Sequence, residues 1–493
     1  MIRTVQIRNL LSALALLGVV AGCAPCPDSS ERFLFDGENA VISPDGARIA
    51  YQLFRDGRYV QCVRDRATGA VTELETTGMS AQGAWTPDGG LVYVAGDLVD
   101  RTAYQVWHKP GLDRGYNLRL WKDGAKTDLT TGRVRDSMPS VGPDGTVYFV
   151  TTRGVFGPGL FHTCSHLARL RPGAKEPERY LTAPRPDNAA CGQPVVSPDG
   201  KYVVYAQIAT YSDSWTLMFA RVSDPERAVA ITPPAMNAYA PRWNPDGRTV
   251  CFTGYRTGDD GWSVYLTDVE RGGFVRVCRG ENPAFAPDGR TLVYDRDRRI
   301  YERGVTVRRP AEAVADPCAE PERVVWTAQG LPDVKLSRPL DGACALGAER
   351  TAFIRVRFRW GGDLKAPVEQ FAAAVYGASD QAFQLYRDKK GLPSFGVRTA
   401  ANQFAYVQAK EPMKEPGEYV LTGVRAGGAI YISVNGAWPN RQVLSRGMLP
   451  LVDPVRFETG KGFGPGTEMV SAEIGTGWPK EVPPALSRQE VMR

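Results

Sequence analysis

One phrase recurs six times along the first 300 residues and constrains the fold more than anything else in the chain. An apolar residue, a spacer and Pro-Asp-Gly (once Gly-Pro-Asp-Gly, once Asn-Pro-Asp-Gly) lead into an apolar run that ends in an aromatic residue. The copies are VISPDGARIAY, AWTPDGGLVY, SVGPDGTVYF, VVSPDGKYVVY, RWNPDGRTVCF and AFAPDGRTLVY, with aspartates at 45, 88, 144, 199, 246 and 288. A spacing of roughly 42 to 56 residues is the signature of a repeat architecture. Pro-Asp-Gly suits a type I turn, because proline fixes φ at the first corner and glycine completes the turn. The apolar residues two places before each proline (Ile42, Trp85, Val141, Val196, Trp243, Phe285) and the aromatics after each glycine (Tyr51, Tyr93, Phe149, Tyr205, Phe252, Tyr294) keep register. Each unit therefore reads as a hairpin covered on both faces. Two more strands follow each hairpin, as in SVYLTDV (263–269) and FVRVC (274–278). Four strands per repeat predict a propeller blade, so 32–310 is expected to form a six-bladed β-propeller.

A chain of 493 residues needs more than one core. The segment 311–325, rich in Pro, Ala and charge, reads as a linker. Beyond it, Phe353–Trp360 alternates cleanly, with Arg355, Arg357 and Arg359 on one face. Strands are expected around Phe383 and Leu385, at 394–397, 404–407 and 419–424, and in AIYISV before the Asn435-Gly436 hairpin turn. Strands with one wet and one dry face predict a β-sandwich over 326–480, followed by a tail at 481–493. The fold class expected is thus all-β.

The formal net charge is +6, mild for this length, and carries no nucleic-acid footprint. Residues 1–22 read as a leader, with Arg3 and Arg8 before the apolar LLSALALLGVV. Val20-Ala21-Gly22-Cys23 resembles a bacterial lipobox. The resemblance implies acylation of Cys23, a tether at 23–31 and a membrane partner at the cell envelope, with Ala24 favouring the outer membrane. An exported chain is able to oxidise its cysteines. The pairs expected are Cys164–Cys191 and Cys318–Cys344, each closing a loop of about 26 residues worth about 3 kcal/mol. Cys251 sits where Ala50, Val92, Val204 and Val293 stand in other copies, and reads as a buried thiol.

The six phrases resemble the TolB-like six-bladed propellers. GEYVLTGVRAGGAIYISVNG and the later RFETG resemble the concanavalin A-like lectin/glucanase superfamily, in its laminin G-like branch. These resemblances imply folds that bind glycans or proteins. The E-x-D-x-E cluster of the superfamily's glucanases does not occur in the chain, nor does a G-x-S-x-G elbow.

In a four-stranded blade, the second-to-third loop and the crossing to the next blade share one face of the ring. His108 falls in the long loop of blade 2. His162, Cys164 and His166 fall in the equivalent loop of blade 3, and Cys191 enters blade 4. One reading is a transition-metal site of His108, His162 and His166, with Asp97, Asp100 or Asp113 as oxygen donors, serving a lyase-like, metal-dependent carbohydrate enzyme. The plainer reading is a disulfide-pinned loop and no cofactor. The same loops hold Tyr104, Trp107, Arg114, Tyr211, Trp215, Tyr239, Tyr255 and Trp262, material for stacking on sugar rings or gripping an acidic group. The stripe Arg355, Arg357 and Arg359 suits an anionic glycan or protein. The function expected is non-catalytic binding of carbohydrate or an envelope protein, with assembly scaffolding of the TolB kind as a further alternative.

Overall fold

The structure is a computed structural model that describes residues 31–96, 115–132, 134–153, 166–181, 190–208, 215–232, 236–256, 259–270, 272–306, 321–331, 339–340, 351–362, 370–376, 381–387, 391–398, 404–409, 411–426, 429–437, 440–443, 455–458, 468–482 and 491–492. Six four-stranded antiparallel sheets fill 32–304. Five are continuous in sequence: blade 1 at 38–73, blade 2 at 79–128, blade 3 at 136–181, blade 4 at 190–230 and blade 5 at 236–279. Blade 6 takes three strands from 281–304 and its outer strand, Arg32–Asp36, from the start of the propeller. That exchange joins the two ends of the propeller segment, so the ring closes through backbone hydrogen bonds as well as side chains.

All six Pro-Asp-Gly turns form as expected. In each, the glycine N–H donates to the carbonyl three residues back: Gly46 to Ser43, Gly89 to Thr86, Gly145 to Gly142, Gly200 to Ser197, Gly247 to Asn244 and Gly289 to Ala286. The aspartate carboxylate holds the start of the next strand, as when Asp246 Oδ1 accepts from the N–H groups of Arg248 and Thr249, both at 2.8 Å. The residue two places before proline staples neighbouring blades. Trp85 Nε1 donates to the Val41 carbonyl and Trp243 Nε1 to that of Val195, each at 3.0 Å.

Every seam between blades is filled. Separate apolar clusters join blades 1 and 2, 2 and 3, 3 and 4, 4 and 5, 5 and 6, and 6 and 1. An open stack would leave one seam unpaired, so the blades form a closed six-membered ring. Cys251 is wholly buried, as its place in the phrase predicts, and the described cysteines Cys62, Cys191, Cys251 and Cys278 form no disulfide with one another.

The inner strands share a device that the side chains do not announce. Five residues before each proline, the chain turns into the left-handed region at Asn39, Gln82, Met138, Gln193, Ala240 and Asn282, with φ between 49° and 57°. The register slips at each of these points, so all six inner strands carry a β-bulge. Side chains of the neighbouring blade satisfy the bulged N–H groups: Asp295 for Asn39, Gln52 for Gln82, Gln82 for Met138, Gln193 for Ala240 and Thr253 for Asn282.

The C-terminal region holds two six-stranded antiparallel sheets. In the first, Ala352–Trp360 lies between Glu468–Thr476 and Gly417–Ala426; in the second, Gln381–Arg387 lies between Gln370–Tyr376 and Pro393–Arg398. One core joins them. Ile354, Val356, Phe358 and Ile432 of the first sheet meet Phe383, Leu385, Phe395 and Val407 of the second. Asn435 and Gly436 both take positive φ, 52° and 70°, as the hairpin turn requires. Among the described residues, no helix is long and apolar enough to cross a membrane.

Candidate functional site

Strand direction sorts the propeller into two faces. The Pro-Asp-Gly turns occupy one. The second-to-third connections and the crossings between blades occupy the other, which therefore carries Trp215, Tyr239, Tyr255, Trp262 and the first residue of the strand His166–Leu170. His108, His162, Cys164, Tyr104, Trp107, Arg114 and Tyr211 lie outside the described residues, as do Cys23, Cys318 and Cys344.

Blade 5 brings three of the expected residues together. The rings of Tyr239 and Trp262 meet edge to face, centroids 5.0 Å apart. Tyr255 lies 5.6 Å from Trp262 on a tilted plane and is 41% exposed. The bulge at Ala240 immediately follows Tyr239, whose hydroxyl donates to Glu281 Oε2 at the start of blade 6. The loop is held from below. Asp259 Oδ2 accepts from the Arg256 N–H at 2.8 Å and from the Tyr265 hydroxyl at 2.7 Å, which favours the protonated phenol. Burial and Asp259 together raise the Tyr265 hydroxyl well above the ordinary phenol range. Asp260 pairs with Arg276, and the Arg256 guanidinium stacks on Phe274 at 4.9 Å. The result is a fixed aromatic corner with one open ring face.

Trp215 does not join this corner. Its ring lies over Gly192 of blade 4 and packs on the core between blades 4 and 5, while its backbone N–H donates to Asn237 Oδ1 at 2.9 Å. His166 is 4% exposed, and burial followed by the nearby Arg179 charge lowers its pKa, so the imidazole is neutral. Cys191 is buried in the core shared by blades 3 and 4, and burial pushes its thiol up to about 12. The expected partner Cys164 and the histidines 108 and 162 fall outside the described residues; among those described, no cluster of His, Cys, Asp or Glu has the arrangement to hold a metal ion.

Next to Tyr239 and Glu281 sits a carboxylate that the motif reading passed over. Asp295, 5% exposed, accepts from the Asn39 N–H at 2.8 Å and from Asn282 Nδ2 at 3.0 Å. Burial pushes its pKa up to about 7; the two hydrogen bonds pull it down in part, and Glu38 and Glu281 raise it further. Its signal in the sequence is an acid one place after the aromatic of the sixth phrase, where no other copy has one.

The arginine stripe lies on the outer face of the first C-terminal sheet, and each arginine meets carboxylates far away in sequence. Arg355 pairs with Glu322 at 2.7 Å, with Glu473 at 2.5 Å and with Glu481. Arg357 pairs with Glu418 at 3.2 Å and Arg359 with Glu468 at 2.8 Å. A cleft of about 470 Å³ opens beside them, lined by Arg355, Arg357, Val420, Asn435, Gly436, Glu473 and Glu481. Tyr431, on the strand Ala429–Val434 of the same sheet, is buried against Trp478, ring centroids 5.0 Å apart.

Ring closure and repeat geometry define residues 32–304 as a six-bladed β-propeller, followed by a C-terminal β-sheet region. No family model matches the chain, and no curated protein matches it. Among solved structures, it is similar to TolB from Acinetobacter baumannii, at 16% identity and a TM-score of 0.42 over 53% of this chain and 64% of that one. The chain thus spans less than two-thirds of that TolB. An oligogalacturonate lyase in complex with manganese aligns at 14% identity and a TM-score of 0.37, over 57% of this chain and 92% of that one. A Trypanosoma rangeli sialidase aligns at 12% and 0.38, over 94% of this chain and 97% of that one.

Proposed function

We propose that the chain is a lipid-anchored envelope protein that binds carbohydrate on the loop face of its propeller, at the aromatic corner of blade 5. The propeller is read as TolB-like and the C-terminal sheets as a concanavalin A-like module. The tether is the segment 23–31, acylated at Cys23 once the leader 1–22 is removed. The observation that carries the reading is the exposed Tyr255 ring set against Trp262, which in turn meets Tyr239, with Glu281 on the Tyr239 hydroxyl and the Arg256 backbone next in the chain. Aromatic faces cover the apolar C–H faces of a sugar ring, while neighbouring polar groups bond its hydroxyls. Rigid two-angle side chains lose little entropy on binding, which suits a weak, polar ligand.

The charge balance of the C-terminal cleft favours a neutral ligand over an anionic one there. Its arginines are matched or outnumbered by Glu322, Glu418, Glu473 and Glu481. An array of envelope and extracellular glycan fragments, probed with purified protein lacking the leader, tests the proposal. Saturable binding to one glycan class, lost in Tyr255→Ala, is expected; a blank array overturns it.

A further inference from the structure

Val491 and Met492 follow the C-terminal sheets in the chain but lie on the propeller. Val491 is 2% exposed and belongs to the core that fills the seam between blades 4 and 5. Its carbonyl accepts from Arg221 Nε at 2.9 Å, and the next carbonyl, that of Met492, accepts from the Tyr202 hydroxyl at 3.0 Å. Tyr202 and Arg221 are register partners on adjacent strands of blade 4. Both stand at the end of the blade where the turn 198–200 lies, opposite the aromatic corner. The Tyr202 ring packs on Phe219 at 5.3 Å, and Phe219 on Trp243 at 6.3 Å, so the donors are mounted on a rigid apolar wall.

Two fixed donors reading successive backbone carbonyls, with an apolar side chain seated between blades, is how a peptide segment is recognised. A contact of this kind between positions 270 and 290 residues apart is not local packing. We infer that the seam of blades 4 and 5 on the turn face is a peptide-docking socket, and that its occupant is the chain's own segment around Val491. The segment clasps the C-terminal sheet region to the propeller on the face opposite the aromatic corner. This inference is independent of which ligand that face takes.

A fluorescent peptide of residues 484–493, PALSRQEVMR, titrated into the whole chain tests it. In the wild type, the tethered segment has a high effective concentration and excludes the peptide. Val491→Asp puts a carboxylate into the apolar seat and vacates the socket. The peptide is expected to bind Val491→Asp at least tenfold more tightly than wild type, and to lose that binding when Tyr202→Phe and Arg221→Gln are added. Equal binding to wild type and Val491→Asp, or to neither, overturns the inference. A double-mutant cycle on thermal unfolding gives a second readout. The melting-point losses from Val491→Asp and from Tyr202→Phe with Arg221→Gln should be strongly non-additive, because both remove one contact. Simple additivity contradicts the clasp, as does a concentration-dependent dimer that donates the segment between copies.

Discussion

At position 295 the sixth repeat carries a carboxylate where the other second strands carry Gln52, Val94, Val150, Ala206 and Thr253. The residue does the same work as Gln52 and Thr253, accepting from a bulged N–H of the next blade. A carboxylate does this at an electrostatic cost, because burial and the facing Glu38 and Glu281 disfavour its charge; Arg298, 3.3 Å from Glu38, offsets only the latter in part. With the native pKa raised to about 7 from 3.8, the folded chain holds a proton that the unfolded chain has released. Native protein binds more protons across that window, so stability falls as pH rises from about 4 to about 7. Asp295→Asn keeps an acceptor and removes the charge. Its free energy of unfolding in urea is expected to match wild type near pH 4 and to exceed it at pH 8, by up to roughly a few kcal/mol, with a correspondingly higher midpoint. Equal midpoints at pH 8 would show that Asp295 ionises without cost. The carboxylate itself is visible in the sequence, but its burial is not. That depends on Asn39 and Asn282, brought together only when the ring closes.

Turn chemistry made the six hairpins legible, since Pro, Asp and Gly each demand a local conformation. The bulges five residues before each proline were not. Asn, Gln, Met, Gln, Ala and Asn share no side-chain property, because the demand is on the backbone. In the C-terminal region, Ala352–Trp360 announces itself by alternation. Glu468–Thr476 does not, because Gly475 and Ala472 are small for a packing reason. A methyl at Gly475 would fall 2.3 Å from the Phe353 ring, and one at Gly423 would fall 2.2 Å from the Phe395 ring of the opposite sheet. At Gly423 the Phe395 ring of one sheet thus lies directly against the backbone of the other. Gly423→Ala forces Phe395 off its position and is expected to cost about 1–3 kcal/mol or more in denaturant unfolding. A loss under about 0.5 kcal/mol would mean that the two sheets are not held at this spacing.

On the scale of the whole molecule, architecture follows from the repeat, while the state of the candidate residues follows from partners far away in sequence. The arginine stripe was legible as a stripe, yet Glu322, Glu418, Glu468 and Glu473 lie 33, 61, 109 and 118 residues from the arginines they meet, and no local pattern places them. The aromatic corner was legible as composition of one face. Its geometry needed the blade 5 loop, folded back by Asp259 and Asp260, and the neighbouring blade's Glu281. The docking of Val491 left no trace in any pattern, Val491 and Met492 being only a pair of apolar residues after a polar run. The two modules thus offer distinct surfaces: an aromatic one on the propeller and a charge-balanced one on the C-terminal sheets. The central claim is that ligand is taken at the first. The most direct measurement is the dissociation constant of an array-identified glycan, by calorimetry, for wild type, Trp262→Ala and Arg357→Ala. Loss of one stacking face is worth about 1–2 kcal/mol, so Trp262→Ala should weaken binding about tenfold while Arg357→Ala leaves it within twofold. The reverse pattern, with Arg357→Ala abolishing binding and Trp262→Ala neutral, would contradict the account.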